Sequence, residues 1–177
     1  NRHMLATIVR LSESNEDAGH KVAMQVAAMK PIALDEASVP QSVKDEELKV
    51  AIEKTKEEQV EKAVVNAIKK AGVNPNLVDS EDHIESNIKK GWLTPEEAEK
   101  AREIRAKVGA EKAANLPEQM VQNIAKGRLN KFFKESCLVD QEFQFGDGDK
   151  LNVAQWLQAQ SKTLAVCDYR RYSLSAE

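Results

Sequence analysis

The stretch QSVKDEELKVAIEKTKEEQVEKAVVNAIKKA, residues 41–71, decides the architecture of the chain. It contains no glycine or proline, and residues 53–61 in its middle are largely charged. The less polar side chains recur at a mixed spacing of three and four, the period of one helix face: Leu48, Ile52, Thr55, Gln59, Ala63 and Ala67. Because a helix enclosed in a core does not tolerate so many charges, the pattern predicts a long helix lying against one partner helix.

The residues that follow indicate that the long helix ends and that further helices run back alongside it. GVNPN at 72–76 ends the long helix with a C-cap glycine and a proline turn. Thr94-Pro95-Glu96-Glu97 predicts a helix start, with threonine at the N-cap, proline at N1 and glutamate at N3. We expect Gly109 to interrupt that helix and residues 115–118 (NLPE) to begin the next. The pattern indicates an antiparallel helical hairpin with smaller helices at its tip.

Shorter elements flank this region on both sides. Residues 5–11 (LATIVRL) and 164–174 (LAVCDYRRYSL) are rich in β-branched and aromatic residues and predict strands. Residues 138–145 alternate weakly and are expected to be extended. A helix capped by Asp17 should follow the first strand, and VAQWL at 153–157 predicts a short amphipathic helix.

Strands near the two ends and helices between them predict the α+β class. We expect a small antiparallel sheet packed with helices, from which the long antiparallel hairpin, a coiled coil, projects. Residues 1–40 would form the first part of the core and residues 135–177 the second part. The hairpin would span residues 41–134, with an inserted tip at about 59–114.

Composition narrows the range of partners. The chain has 26 Lys and Arg against 29 Asp and Glu, a net charge of −3, which provides no field that attracts nucleic acid or anionic lipid. No apolar run approaches the ~20 residues that span a bilayer. Two cysteines, Cys137 and Cys167, are too few for a disulfide framework. We therefore expect a cytoplasmic protein with no membrane partner and no direct contact with nucleic acid.

The sequence carries no arrangement typical of a catalytic site. It lacks both phosphate-binding glycine loops and the GxSxG motif, and its histidines and cysteines do not have metal-ligand spacing. Asp147 and Asp149 in the GDGDK stretch favour a turn over a calcium loop. The basic stretch at 126–134 could contact RNA, but a solvated helix face whose cations favour the helix C-terminus is the better explanation. We expect no enzyme, metal or cofactor, and therefore a surface that contacts another macromolecule.

Several segments, in the same order, resemble bacterial elongation factor Ts. Together with their flanks they cover more than half of the chain, and their order makes the resemblance specific. The matched segments are residues 22–31 (VAMQVAAMKP), 39–47 (VPQSVKDEE), 116–133 (LPEQMVQNIAKGRLNKFF), 136–143 (SCLVDQEF) and 153–157 (VAQWL), with Arg171-Tyr172 near the end of the final strand.

The chain departs from the family pattern in two places. Residues of about 59–114 have no counterpart, because the usual hairpin turns back after a short tip. Insertions are tolerated at exposed tips, so an enlarged coiled-coil tip leaves the rest intact. The family's N-terminal half is also missing, including the "TDFV" segment that inserts near the magnesium site of the partner. The sequence therefore resembles a fragment, the C-terminal half of the family's core.

The resemblance implies a role in protein biosynthesis. Elongation factor Ts is a guanine nucleotide exchange factor, which binds elongation factor Tu and accelerates release of GDP by stabilising the nucleotide-free state. The half that is present would supply the anchoring surface, which contacts the third domain of elongation factor Tu, and would contribute to a homodimer. It would lack the residues that trigger exchange. The expected partner-binding residues are Arg10, Met24, Leu138, Gln141 and Phe143.

Two alternatives accompany this interpretation. The hairpin alone would also suit a coiled-coil interaction module that docks a different protein. Core packing is an equally good explanation for Met24 and Phe143, since large apolar side chains are usually buried. Gln141 is the stronger candidate for binding, because it is polar within an apolar segment.

Overall fold

The computed structural model describes residues 4–148 and 150–174, so Asp149 of the predicted turn lies outside the described residues. The elements confirm the α+β class, whereas the coiled-coil hairpin stays a prediction. The chain divides into two compact units, the first formed by Asn1–Glu47 with Gly127–Glu177 and the second by Leu48–Lys126. The elements are β1 (Leu5–Leu11), α1 (Glu16–Met29), α2 (Gln41–Lys70), α3 (Glu81–Lys89), α4 (Pro95–Ala114), α5 (Glu118–Ser136), α6 (Val153–Gln160) and β2 (Val166–Ser173).

The first unit contains the sheet that the two terminal segments predict. β1 and β2 pair antiparallel, with Ala6 opposite Tyr172, Ile8 opposite Arg170 and Arg10 opposite Asp168. Alternate β1 residues turn inward, and the Thr7 hydroxyl donates a hydrogen bond to the Ala23 carbonyl of α1 (3.0 Å).

The segment at 138–145 differs from the extended segment that the sequence predicts. Leu138–Asp140 forms a short 3₁₀ turn instead. Glu142 makes an isolated bridge to Asn152, and the Phe143 amide donates to the Leu151 carbonyl (2.9 Å). The first residues of the segment bond to the chain after α1, with the Leu138 amide donating to the Ala33 carbonyl (2.9 Å), so the segment does not join β1 and β2.

One hydrophobic core holds α1, α6 and the sheet together. Its fully buried members come from both ends of the chain: Ala18, Val22, Val26, Leu138, Val153, Leu157 and Leu164. The predicted cap of α1 is wrong by two residues, because the Asn15 side chain accepts the Ala18 amide (3.0 Å). Asp17 lies in the first turn, where it forms an ion pair with Lys21 (3.3 Å).

The C-terminus of α1 contains an unusual backbone conformation. Lys30 has φ 48° and ψ 55°, the left-handed region, and its amide donates to the Val26 carbonyl. A side chain in this region costs about 1–2 kcal/mol that glycine avoids.

We expect Lys30→Gly to be more stable than Lys30→Ala by about 1 kcal/mol, because both variants lose the same side-chain contacts and only alanine keeps the Cβ strain. Urea unfolding of the two variants measures the difference. Equal stabilities would contradict a strained backbone at this position.

The second unit is built on α2 and α4. The Arg105 guanidinium binds Glu61 (2.6 Å) and the Lys100 ammonium donates to the Ala71 carbonyl (3.2 Å), so the end of α2 and the start of α4 run antiparallel. Their core contains residues of α2, α3, α4 and the turns between them: Val64, Ile68, Val73, Val78, Ile84, Leu93, Ala98 and Ala101.

Of two sequence predictions about α4, the helix start at Thr94 and the interruption at Gly109, the structure confirms the first and contradicts the second. The Thr94 capping box is confirmed, since both of its hydrogen bonds to Glu97 are present. The predicted interruption at Gly109 is wrong, because α4 continues through it. A Cβ at Gly109 would lie 3.7 Å from Val64 and 3.8 Å from Val60, which is ordinary van der Waals contact, so α4 packs against α2 at this position.

Candidate partner-binding surfaces

Gln141 is enclosed in the first unit and 1% exposed. Its amide nitrogen donates to the Glu135 carbonyl (2.9 Å), and its amide oxygen accepts from Gln25 of α1 (3.3 Å). Gln25 also donates to the Glu142 carbonyl (3.1 Å) and accepts the Gln144 amide (3.0 Å). This glutamine cluster, Gln25, Gln141 and Gln144, ties α1 to the segment at 138–144 because buried amides require partners.

Leu138 and Phe143 are also interior residues. Leu138 is completely buried, and Phe143 is 5% exposed, with its ring centroid 4.6 Å from that of Trp156. The structure therefore brings Leu138, Gln141 and Phe143 together inside the first unit. Their assignment to partner binding stays a prediction.

The other two expected residues lie closer to the surface. Met24 is half-buried on α1, and Arg10 is exposed on β1. Arg10 belongs to the outer sheet face, which we define as the side of β1 and β2 turned away from α1: Ala6, Ile8, Arg10, Asp168, Arg170 and Tyr172.

The outer sheet face is apolar at one end, where Ala6 pairs with Tyr172, and charged at the other end, where Arg10 pairs with Asp168. Between these pairs, Ile8 lies opposite Arg170. Ile8 is 62% exposed and Tyr172 is 59% exposed. Arg170 binds Asp168 across the charged end (2.9 Å). The sequence pattern did not lead us to Ile8 and Tyr172, although it contains a signal for the first. A strand with one solvent-exposed face alternates apolar and polar residues, whereas LATIVRL (residues 5–11) has apolar residues on both faces. Contiguous exposed apolar side chains of this kind mark interaction sites.

A polar groove adjoins Gln141 in the same unit. Three lysines line it, Lys131, Lys134 and Lys150, together with three acids, Glu135, Asp140 and Glu142. The opposite charges balance, so the groove does not have the cationic excess that binding of a phosphate backbone requires. Burial, with Glu36 and Asp35 nearby, raises the pKa of the Asp140 carboxyl above its usual value.

The two thiols have opposite environments. Cys137 is completely buried, and burial together with the charge of Asp140 raises its pKa to about 11. Cys167 is exposed. We expect a thiol reagent at neutral pH to label Cys167 promptly and Cys137 only on unfolding, because the thiolate is the nucleophile.

Intact-mass measurement counts the labels with and without urea. The expected result is one label in the folded protein and two in the unfolded one. Prompt labelling of Cys137 would contradict its burial, and Cys167→Ser serves as the control that isolates it.

Within residues 4–148 and 150–174, no group of His, Cys, Asp or Glu is arranged to hold a metal ion. The helices described there are all too short or too polar to cross a membrane. The fold and its surfaces define an α+β protein whose exposed sheet face is apolar at one end and charged at the other.

Comparison with known proteins identifies the family. A family model described as Elongation factor TS matches residues 1–176, so the chain belongs to the elongation factor Ts family. It is 54% identical over 176 residues to elongation factor Ts of Parabacteroides distasonis, covering 99% of this chain and 53% of that protein. It is 57% identical over 175 residues to elongation factor Ts of Phocaeicola vulgatus, with the same coverage of each chain.

A more distant relative is aligned over nearly the same residues. Elongation factor Ts of Porphyromonas gingivalis is 28% identical over 174 residues, covering 98% of this chain and 42% of that protein. The chain therefore spans about half the length of the curated relatives that it matches. Since the alignments run through the whole described structure, both compact units belong to the shared region.

Proposed function

We propose that this chain is the anchoring half of an elongation factor Ts, which binds elongation factor Tu in the bacterial cytoplasm. The match of the family model to residues 1–176 supports the family role of guanine nucleotide exchange in translation. The chain would act by binding alone, without a cofactor or a covalent step. The exposed outer sheet face is the observation that carries the assignment of the contact surface.

The outer sheet face has the composition of a contact surface. Ile8 and Tyr172 are diagonal neighbours across the strands and are both more than half exposed. Apolar and aromatic side chains at the centre of a patch supply most of the binding energy, and charged neighbours form the rim. Arg10 and Asp168 occupy that rim position, and Arg170 lies opposite Ile8.

Binding and exchange should be separable in this chain. Release of GDP requires an interaction that favours the nucleotide-free state of elongation factor Tu over the GDP-bound state. The family segment "TDFV" supplies that interaction in our interpretation, and the 177 residues do not contain it. The chain should therefore bind elongation factor Tu without accelerating exchange.

Calorimetric titration of elongation factor Tu with this chain tests the contact surface. We expect Ile8→Asp to weaken binding by about tenfold or more, because a charge would be buried at the centre of the interface. Val50→Asp on α2 is the matched control, since Val50 is 50% exposed in the other compact unit. Equal affinity of the Ile8 variant and the parent, or an equal loss in the Val50 variant, would contradict the assignment.

Self-association is a second proposal for the same face. An apolar patch on a two-stranded sheet can pair with its own copy around a two-fold axis, which is the commonest symmetry of oligomers. Mass measurement in solution separates the two proposals. A monomer that binds elongation factor Tu favours the first, and a dimer that Ile8→Asp dissociates favours the second.

A further inference from the structure

Asp147 and Gly148 lie in the loop that connects Phe143 with Leu151. Both residues are exposed, and Gly148 has φ +90°. Apart from its chain neighbours, no atom of the residues that the structure describes lies within 4 Å of the position that a Cβ would take. Among the described residues, neither the Asp147 carboxylate nor the Gly148 amide has a hydrogen-bond partner, whereas the Phe143 amide closes the loop with a 2.9 Å bond to the Leu151 carbonyl. Because glycine has no Cβ, its amide nitrogen is accessible to the side chain of the preceding residue.

We infer that Asp147-Gly148 is a site of spontaneous isoaspartate formation in the folded protein. The Gly148 amide nitrogen attacks the Asp147 side-chain carboxyl carbon, and a C–N bond forms as one water leaves. Hydrolysis of the resulting succinimide returns one water, and opening at the main-chain carbonyl yields an isoaspartyl bond. The net change is an isomerisation at constant mass, and water is the sole co-reactant.

A second exposed aspartate, Asp79, is held in a way that opposes ring closure to a succinimide. Asp79 also precedes a small residue, Ser80, but its carboxylate is 2.5 Å from the His83 ring nitrogen. This hydrogen bond and those from the backbone hold the pKa of Asp79 below its usual value. Ser80 caps α3, which fixes the backbone that ring closure would have to turn. Asp79 is therefore an internal control with a restrained carboxylate.

Isomerisation at Asp147 would change the packing around Trp156, a buried aromatic residue. A Cβ on Gly146 would lie 3.1 Å from Trp156 Cδ1 and 3.2 Å from Phe143, so the loop is seated tightly there. An isoaspartyl bond adds one methylene to the main chain directly after Gly146. In a close-packed contact, such an insertion shifts the neighbouring atoms. The emission of Trp156 should therefore change as the protein ages.

The experiment incubates the purified chain at physiological temperature and pH and maps its peptides over time. Electron-transfer fragmentation distinguishes aspartyl from isoaspartyl bonds at positions 147 and 79. We expect isoaspartate at 147 to accumulate several-fold faster than at 79 in the folded protein. In concentrated urea the ratio should fall, because Asp79 loses its restraint. Equal rates in the folded protein, or a ratio that urea does not lower, would overturn the inference.

Tryptophan emission provides the second readout, in a Trp92→Phe background that leaves Trp156 as the reporter. The parent should change its emission as isoaspartate accumulates, whereas Asp147→Glu should keep its emission constant, because a longer side chain closes the ring poorly. An emission change of the same size in Asp147→Glu would contradict the assignment. Constant emission in a parent that has isomerised would contradict the contact through Gly146.

Discussion

Replacement of Leu138 by alanine should lower the free energy of unfolding of the first unit by about 2–5 kcal/mol. Leu138 is completely buried and belongs to the core that joins α1, α6 and the sheet. Alanine removes apolar contacts and leaves a cavity, and the neighbouring segment cannot collapse easily because the Leu138 amide is bonded to the Ala33 carbonyl (2.9 Å). The same substitution should weaken binding of elongation factor Tu only to the extent that the unit unfolds.

Urea unfolding followed by Trp156 emission in the Trp92→Phe background measures this loss in the first unit alone. A chain with two compact units need not unfold in a single step, so a probe confined to one unit is required. Leu174→Ala is the matched control, since Leu174 is 81% exposed and should lose little stability. Equal effects of the two substitutions would contradict the burial of Leu138.

Gln141→Ala should destabilise the first unit by about 1–3 kcal/mol, because one buried partner left unsatisfied costs about that much. The buried Gln25 amide loses one of its two acceptors, whereas the Glu135 carbonyl, which also loses its bond to Gln141, belongs to an exposed residue. Gln158→Ala on α6 is the control, since that glutamine is exposed. A loss no larger than that of the control would show that the glutamine cluster does not hold the segment.

A double-mutant cycle between Gln25 and Gln141 isolates their interaction. We expect a coupling energy of about 0.5–3 kcal/mol, the range for residues that share one hydrogen-bond network. Each single variant removes one hydrogen bond of the remaining glutamine, which keeps its bonds to the backbone, whereas the double variant removes both amides. Additive losses would indicate that Gln25 and Gln141 are held independently by the backbone.

Sequence predicts the elements best where the signal is local. The long helix at 41–70, the Thr94 capping box and the two strands each follow from residues that are close in the chain. Gly109 shows the opposite case. A glycine within a helix weakens it locally, but α4 packs against α2 at Gly109 and continues through it, and that packing is a tertiary contact.

The candidate site was predictable only in part, for the same reason. Gln141 is polar within an apolar segment, which suggests an exposed residue, but its partner Gln25 is 116 residues away. No local pattern indicates that the two amides meet in the interior. The strand that carries Arg10 was predictable, and the role of Arg10 in binding stays a prediction. Ile8, an apolar residue on the same side of the strand as Arg10, was a signal for the outer sheet face.

Release of a fluorescent GDP analogue from elongation factor Tu tests the central claim, that this chain anchors without driving exchange. We expect the chain alone to leave the release rate unchanged. Added in excess to a reaction catalysed by a full-length elongation factor Ts, it should slow release by competing for the same surface, and Ile8→Asp should compete less. Acceleration of release by the chain alone, or a full-length reaction that excess chain does not slow, would contradict the account.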